Sequence, residues 1–244
     1  HDERPNVLWL MADQYRGDML GCLGHPAVKT PNLDRLAARG VLASRSYCNS
    51  PVCLPSRASM MTSLYLGETE AFSNRHPMRD DLVAFPTLLA EAGYRTANIG
   101  KTHCGRASGK IFEFNANSPD AFGATAPTDV PFDPDVFPEC VMCPDAPRDN
   151  ANRVLHGKYP GPPPTTKSYR LATQAERFMY WHDDTRPFFL RVSFDDPHPP
   201  VVPPEPFASM YSPADVPPEL VESIRAGLGE DVSSTIRRAY ELKG

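Results

Sequence analysis

Three short apolar runs set the frame for this chain. They are NVLWLMA at 6–12, RTANIG at 95–100 and RPFFLRVSF at 186–194. Each has the length of a strand, and segments with helical spacing lie between them. TPNLDRLAARG at 30–40 has Pro31 near its start and Gly40 at its end, the punctuation of a helix. PSRASMMTSLY at 55–65 opens with proline, a favoured first helical position. AFPTLLAEAGY at 84–94 puts Gly93 where a C-cap needs it. SYRLATQAERFMYWHDD at 168–184 has an apolar helical face, VLASRSYC at 41–48 reads as a further strand, and SSTIRRAYELKG at 233–244 begins like a helix. Strands alternating with helices predict an α/β fold, a mostly parallel sheet flanked by helices, with NVLWLMA as a buried strand.

Sheets of this kind collect ligands outside the carboxyl ends of their strands. The chemically able residues fall there. Asp13 ends the first strand, Lys101 and His103 follow RTANIG, and His198 follows RPFFLRVSF. Cys53 sits just ahead of a predicted helix N-terminus, where free N–H groups and the helix dipole favour negative charge. Arg57, four residues on, adds a fixed cation of fork geometry. The combination suits a tetrahedral oxyanion, sulfate or phosphate. The plainer alternative is a buried cysteine beside a surface arginine.

Composition narrows the classes. The formal charge is −5 and no basic stripe is visible, which argues against nucleic acid as a partner. No apolar run approaches the roughly 18 residues of a membrane span. The opening HDERPNVLWLMADQ lacks the pattern of a signal peptide, a signal could have been removed, and the location, cytoplasmic or periplasmic, stays open. Six cysteines in 244 residues do not make a disulfide scaffold. Cys140 and Cys143 form a CxxC without a second pair of ligands and are read as loop packing. The 28 prolines concentrate after residue 115. They predict an ordered, proline-rich excursion at about 115–166 within a single unit spanning 1–244. His25 and His76 have no comparable context, and Asp195 and Asp196 read as turn residues near the pocket.

The Cys-x-Pro-Ser-Arg pattern inside YCNSPVCLPSRASMMTS resembles the activation motif of the sulfatases. RPNVLWLMADQYRGDMLGCLGHPAVKTPNLDRLAARG is similar to that family's opening strand, metal loop and first helix. LLAEAGYRTANIGKTH resembles its helix–strand–GKxH segment, and RPFFLRVSFDDPHPP its PHxP loop. The resemblance implies an alkaline-phosphatase/sulfatase-like domain and hydrolysis of a small sulfate ester. Cys53 would be oxidised to formylglycine by a formylglycine-generating or equivalent maturation enzyme. Asp13, Gln14 and Cys53 would ligate a divalent metal, calcium foremost, with magnesium or manganese as alternatives. Arg57 would hold the formylglycine, Lys101 a substrate oxygen, and His103 would act as the base that releases the covalent intermediate. His198 would contact the transferred group or protonate the leaving oxygen. Gln14 stands where many members have aspartate. Asp-Gln here resembles the choline-sulfatase-like and phosphonate monoester hydrolase branches, so a phosphonate or phosphate ester is the rival substrate. The family's second metal motif, Ser-Asp-His-Gly or an Asp-Asn equivalent, does not occur in this sequence. The resemblance therefore implies an N-terminal portion lacking the C-terminal part. Such a portion is completed by a C-terminal chain or a homo-oligomer, or else is a catalytically silent remnant.

Overall fold

A computed structural model of the chain describes residues 3–105, 110–116, 141–142, 154–182, 185–219 and 222. Two compact units emerge, each held by its own contacts. One comprises the described residues among 1–14, 46–129 and 164–198, and the other those among 15–45, 130–163 and 199–244.

The first unit contains a four-stranded sheet built from β1 (Val7–Ala12), β2 (Arg95–Gly100), β3 (Phe114–Ala116) and β6 (Phe188–Phe194). The strand order is β1-β6-β2-β3 and every pairing is parallel. β6 is therefore flanked by β1 and β2, with Ala12 opposite Phe194 and Gly100 opposite Ser193. Side chains alternate across a strand. Phe188, Leu190 and Val192 meet Ala97, Ile99, Leu171 and Ala175 on one face. That face is covered by α5 (Lys167–Tyr180), whose start is capped by Thr166 accepting from the Tyr169 N–H. Phe189 faces the other way and joins Leu54, Ala58, Met61 and Ala84. There the cover comes from α2 (Cys53–Thr62), α3 (Leu66–Thr69) and α4 (Phe85–Glu91). A parallel sheet covered on both faces matches the sequence expectation, and β3 adds a strand it did not include.

Three expectations are corrected. NVLWLMA is a strand but not a buried one: it lies at the sheet edge, and Leu10 is 56% exposed. Apolar composition on both faces suits the middle of a parallel sheet. Here, among the described residues, no strand pairs with the outer edge of β1. The segment 41–48 is not a strand. Val41 is 98% and Tyr47 88% exposed, and among the described residues the segment pairs with no strand. The helix expected from Pro55 begins at Cys53, because Val52 takes the extended N-cap conformation and its carbonyl already accepts from the Ser56 N–H. Pro55 still lies in the first turn, where its missing N–H costs nothing.

The second unit holds α1 (Pro31–Arg39) and an antiparallel pair, β4 (Val141–Met142) and β5 (Val154–His156). Thr30 and Asp34 tie a short turn at Gly21–Leu23 to α1 by accepting from the Gly21 and Cys22 N–H groups. Most of the proline-rich excursion, Cys140 and Cys143, and the 233–244 helix lie outside the described residues.

Candidate functional site

The sheet order decides what meets at the carboxyl ends of the strands. β1, β6 and β2 are neighbours in register, so the residues that follow them emerge side by side. The Asp13 N–H donates to the Phe194 carbonyl at 3.1 Å and the Lys101 N–H to the Ser193 carbonyl at 3.1 Å. Gly100 makes the second bond reachable. Its φ is +89°, and a Cβ there would stand 2.2 Å from the Ser193 carbonyl oxygen. Gln14 and His103 also have left-handed backbones, at φ 60° and 49°. Non-glycine residues rarely adopt that conformation, and it concentrates where function holds the chain.

Asp13 is the hub. It is buried, and Lys101 Nζ donates to its Oδ2. Arg57 Nη2 lies 3.6 Å from its Oδ1, and the Cys53 thiol 3.9 Å from its Oδ2. Burial pushes the Asp13 carboxyl up, but the Lys101 hydrogen bond and the charges of Arg57, Lys101 and His198 outweigh it and hold the group below the ordinary 3.8. Arg57, 1% exposed, also donates to the Lys101 carbonyl at 2.8 Å and the Ser193 hydroxyl at 2.9 Å. His103 is half-buried, with no hydrogen-bond partner at Nδ1. Burial, then the charges of Lys101 and Arg57, hold its imidazole below the ordinary 6.5. Neutral imidazole at neutral pH is the form a base requires.

His198 completes the cluster. One ring nitrogen of His198, one Asp13 oxygen and the Cys53 sulfur all lie within 4.8 Å of one another. The His198 N–H donates to the Asp195 carbonyl at 2.9 Å, so Asp195 forms the turn that presents it. Asp195 itself pairs with Lys167 at 2.5 Å, and Asp196 accepts from Ser168. The structure thus gathers Asp13, Cys53, Arg57, Lys101 and His198, with His103 within the field of Lys101 and Arg57. Gln14 lies exposed beside Asp13. Asp13, Cys53 and His198 could hold a metal ion between them, and a carboxylate followed in sequence by an amide, Asp13 and Gln14, is oxygen-donor chemistry that a hard divalent cation takes.

The family description "Sulfatase" matches residues 5–219. The chain belongs to the sulfatase family. Over 239 residues it is 28% identical to an arylsulfatase of Clostridium perfringens, covering 89% of this chain and 48% of that protein. It is 38% identical over 113 residues to human steryl-sulfatase, covering 42% of this chain and 19% of that one. Its fold superposes on the phosphonate monoester hydrolase of Agrobacterium radiobacter with TM-score 0.66 and 27% identity, over 88% of this chain and 45% of that chain. The chain thus spans less than half the length of these relatives. The superposed alkaline-phosphatase-like fold agrees with the parallel sheet described above.

Sequence reading missed what lies under this site. Ser193, Asn98 and Arg191 are fully buried in the strands that carry it. One signal was available: an arginine in the middle of FFLRVSF, an otherwise apolar run. Asn74, which accepts from the Leu54 N–H at the start of α2, carries no such signal.

Proposed function

We propose that this site hydrolyses sulfate esters, with Cys53 as the precursor of the nucleophile. The observation that carries the reading is the buried carboxylate of Asp13, held by Lys101 and Arg57 and meeting the Cys53 thiol and His198 at the strand ends. Cys53 is the first residue of α2, so a negative group there faces the helix N-terminus.

Oxidation of Cys53 to formylglycine by a maturation enzyme, and hydration of that aldehyde, supplies one hydroxyl to attack sulfur and a second whose loss of a proton expels sulfate. Each remaining role falls to a residue in place. Lys101 binds a non-bridging oxygen of the substrate, and Arg57 holds the oxidised side chain and offsets the charge that develops beside it. His103, kept neutral, takes the proton of the second hydroxyl. His198 protonates the leaving alcohol oxygen. A divalent cation at Asp13 and Gln14, calcium foremost, would supply Lewis-acid stabilisation of the same oxygens.

The superposition on a phosphonate monoester hydrolase favours a second substrate class. Sulfate and phosphonate monoesters both present an anionic tetrahedral centre with one ester oxygen to lose. Asp13 and Gln14 offer two of the six or more oxygens such a cation takes. The test is turnover of 4-nitrophenyl sulfate and of a phenylphosphonate monoester by the matured chain, with and without added calcium. Faster turnover of the sulfate is expected. No turnover of either substrate, by a folded chain carrying the aldehyde and supplied with calcium, would falsify the reading for this chain.

A further inference from the structure

Arg191 occupies the centre of β6, paired in register with Trp9 on one side and Asn98 on the other. It is 0% exposed. A guanidinium in the middle of a parallel sheet gives up its hydration, and a buried charge normally requires an ionic partner. No carboxylate among the described residues forms an ion pair with it. Its Nη1 donates instead to Asn98 Oδ1 at 2.7 Å and to the Lys101 carbonyl at 3.1 Å. Its Nη2 reaches the Ser193 hydroxyl at 3.4 Å and the Met11 sulfur at 3.1 Å. The cation also lies 5.3 Å from the centre of the Trp9 ring. Its Nε has no hydrogen-bond partner. Burial and the neighbouring Arg57 charge pull its pKa down to about 9.

Two of those acceptors are shared. The Lys101 carbonyl and the Ser193 hydroxyl each receive a hydrogen bond from Arg57 as well. Two like-charged guanidiniums therefore grip the same pair of oxygens. Lys101 and Ser193 come from different strands, so both grips hold the β2 and β6 ends together. Arg57, Lys101 and Arg191 bring three cations to one carboxylate, Asp13. That surplus destabilises the fold and suits a site whose ligand is an anion.

We propose that Arg191 is a positioning residue for oxyanion binding: it holds the Lys101 carbonyl and the Ser193 hydroxyl so that Arg57 and Lys101 are fixed before the anion arrives. The inference rests on reading the site as one that takes a tetrahedral oxyanion. It goes further in assigning that preorganisation to a residue that touches no substrate. A purely structural role makes a different forecast. Arg191→Met removes the donor to the buried Asn98 Oδ1, so a purely structural role predicts a lower Tm and unchanged anion binding.

The test measures inorganic sulfate binding by calorimetry and Tm by scanning calorimetry, on the wild-type chain and on Arg191→Met, Arg191→Lys and Ser193→Ala. The expected result for a folded Arg191→Met is a sulfate affinity lower by about tenfold or more, the scale of one lost charge-assisted hydrogen bond. Arg191→Lys keeps the charge and loses the fork, and should stay closer to the Met variant than to wild type. Wild-type affinity in a folded Arg191→Met or in Arg191→Lys overturns the proposal while leaving the oxyanion reading intact. A wild-type chain that binds no sulfate overturns both. Should Arg191→Met fail to fold, Ser193→Ala decides. It removes the shared hydroxyl without touching a charge; weakened sulfate binding supports the proposal and unchanged binding overturns it.

Discussion

Asp13 and His103 both lie in the field of Lys101 and Arg57, and that field acts on them in the same direction for different reasons. For Asp13 it outweighs burial and favours the charged carboxylate. For His103 it adds to burial and favours the neutral ring. Both groups bind protons more weakly in the folded chain than in the unfolded one. Acidification therefore costs stability twice, in separate windows. The first loss comes as pH falls through 6.5 and unfolded chains take up the His103 proton. The second comes as pH falls through 3.8, when the contribution of ionised Asp13, fully present above that value, is withdrawn. Tm measured against pH should fall in two stages, and His103→Gln should abolish only the first. The acidic limb of kcat should likewise lie below pH 6.5, because the base stays neutral to lower pH than a free imidazole. Cys53→Ala should remove turnover while moving Tm little. The side chain is only half-buried, so the small cavity left by its sulfur can be reached by water. Activity assays and thermal unfolding of the same preparation check both halves.

Gly100 shows how an element delivers a residue to a site. β2 must end beside β6, and its last residue approaches the Ser193 carbonyl too closely for any Cβ. Gly100→Ala adds that clash to a left-handed backbone penalty, so a loss of about 2–4 kcal/mol is expected, read by chemical denaturation. Lys101, whose carbonyl and amine hold the site together, should be displaced with it. Much at this scale was readable from the sequence. Strand-length apolar runs and helical spacing located β1, β2, β6 and α5, and the strand-end rule pointed to Asp13, Lys101, His103 and His198. What escaped was whatever depends on sheet order. The strand order puts β1 at an edge, and no one-dimensional pattern of NVLWLMA carries that. Arg191 and Ser193 escaped for a related reason. Their partners, Asn98, the Lys101 carbonyl and Arg57, come from elements distant in sequence, so only pairing in space gives a mid-strand arginine its meaning. The 41–48 segment had strand-like composition but, among the described residues, pairs with no strand.

Among the described residues no strand pairs with the outer edge of β1, whose Leu8 and Leu10 side chains are exposed. An apolar, unpaired strand is a template for another chain. Leu10→Lys should leave the stability of the isolated chain within about 0.5 kcal/mol, since the side chain is mostly in water. It should also reduce self-association, followed by light scattering across protein concentration. The central claim concerns Cys53, and the most direct measurement is the mass of the tryptic peptide 46–57 from chain produced alongside a formylglycine-generating enzyme. The account predicts an aldehyde in place of the Cys53 thiol, with Cys48 in the same peptide unchanged. An intact thiol at Cys53 in that material would contradict it.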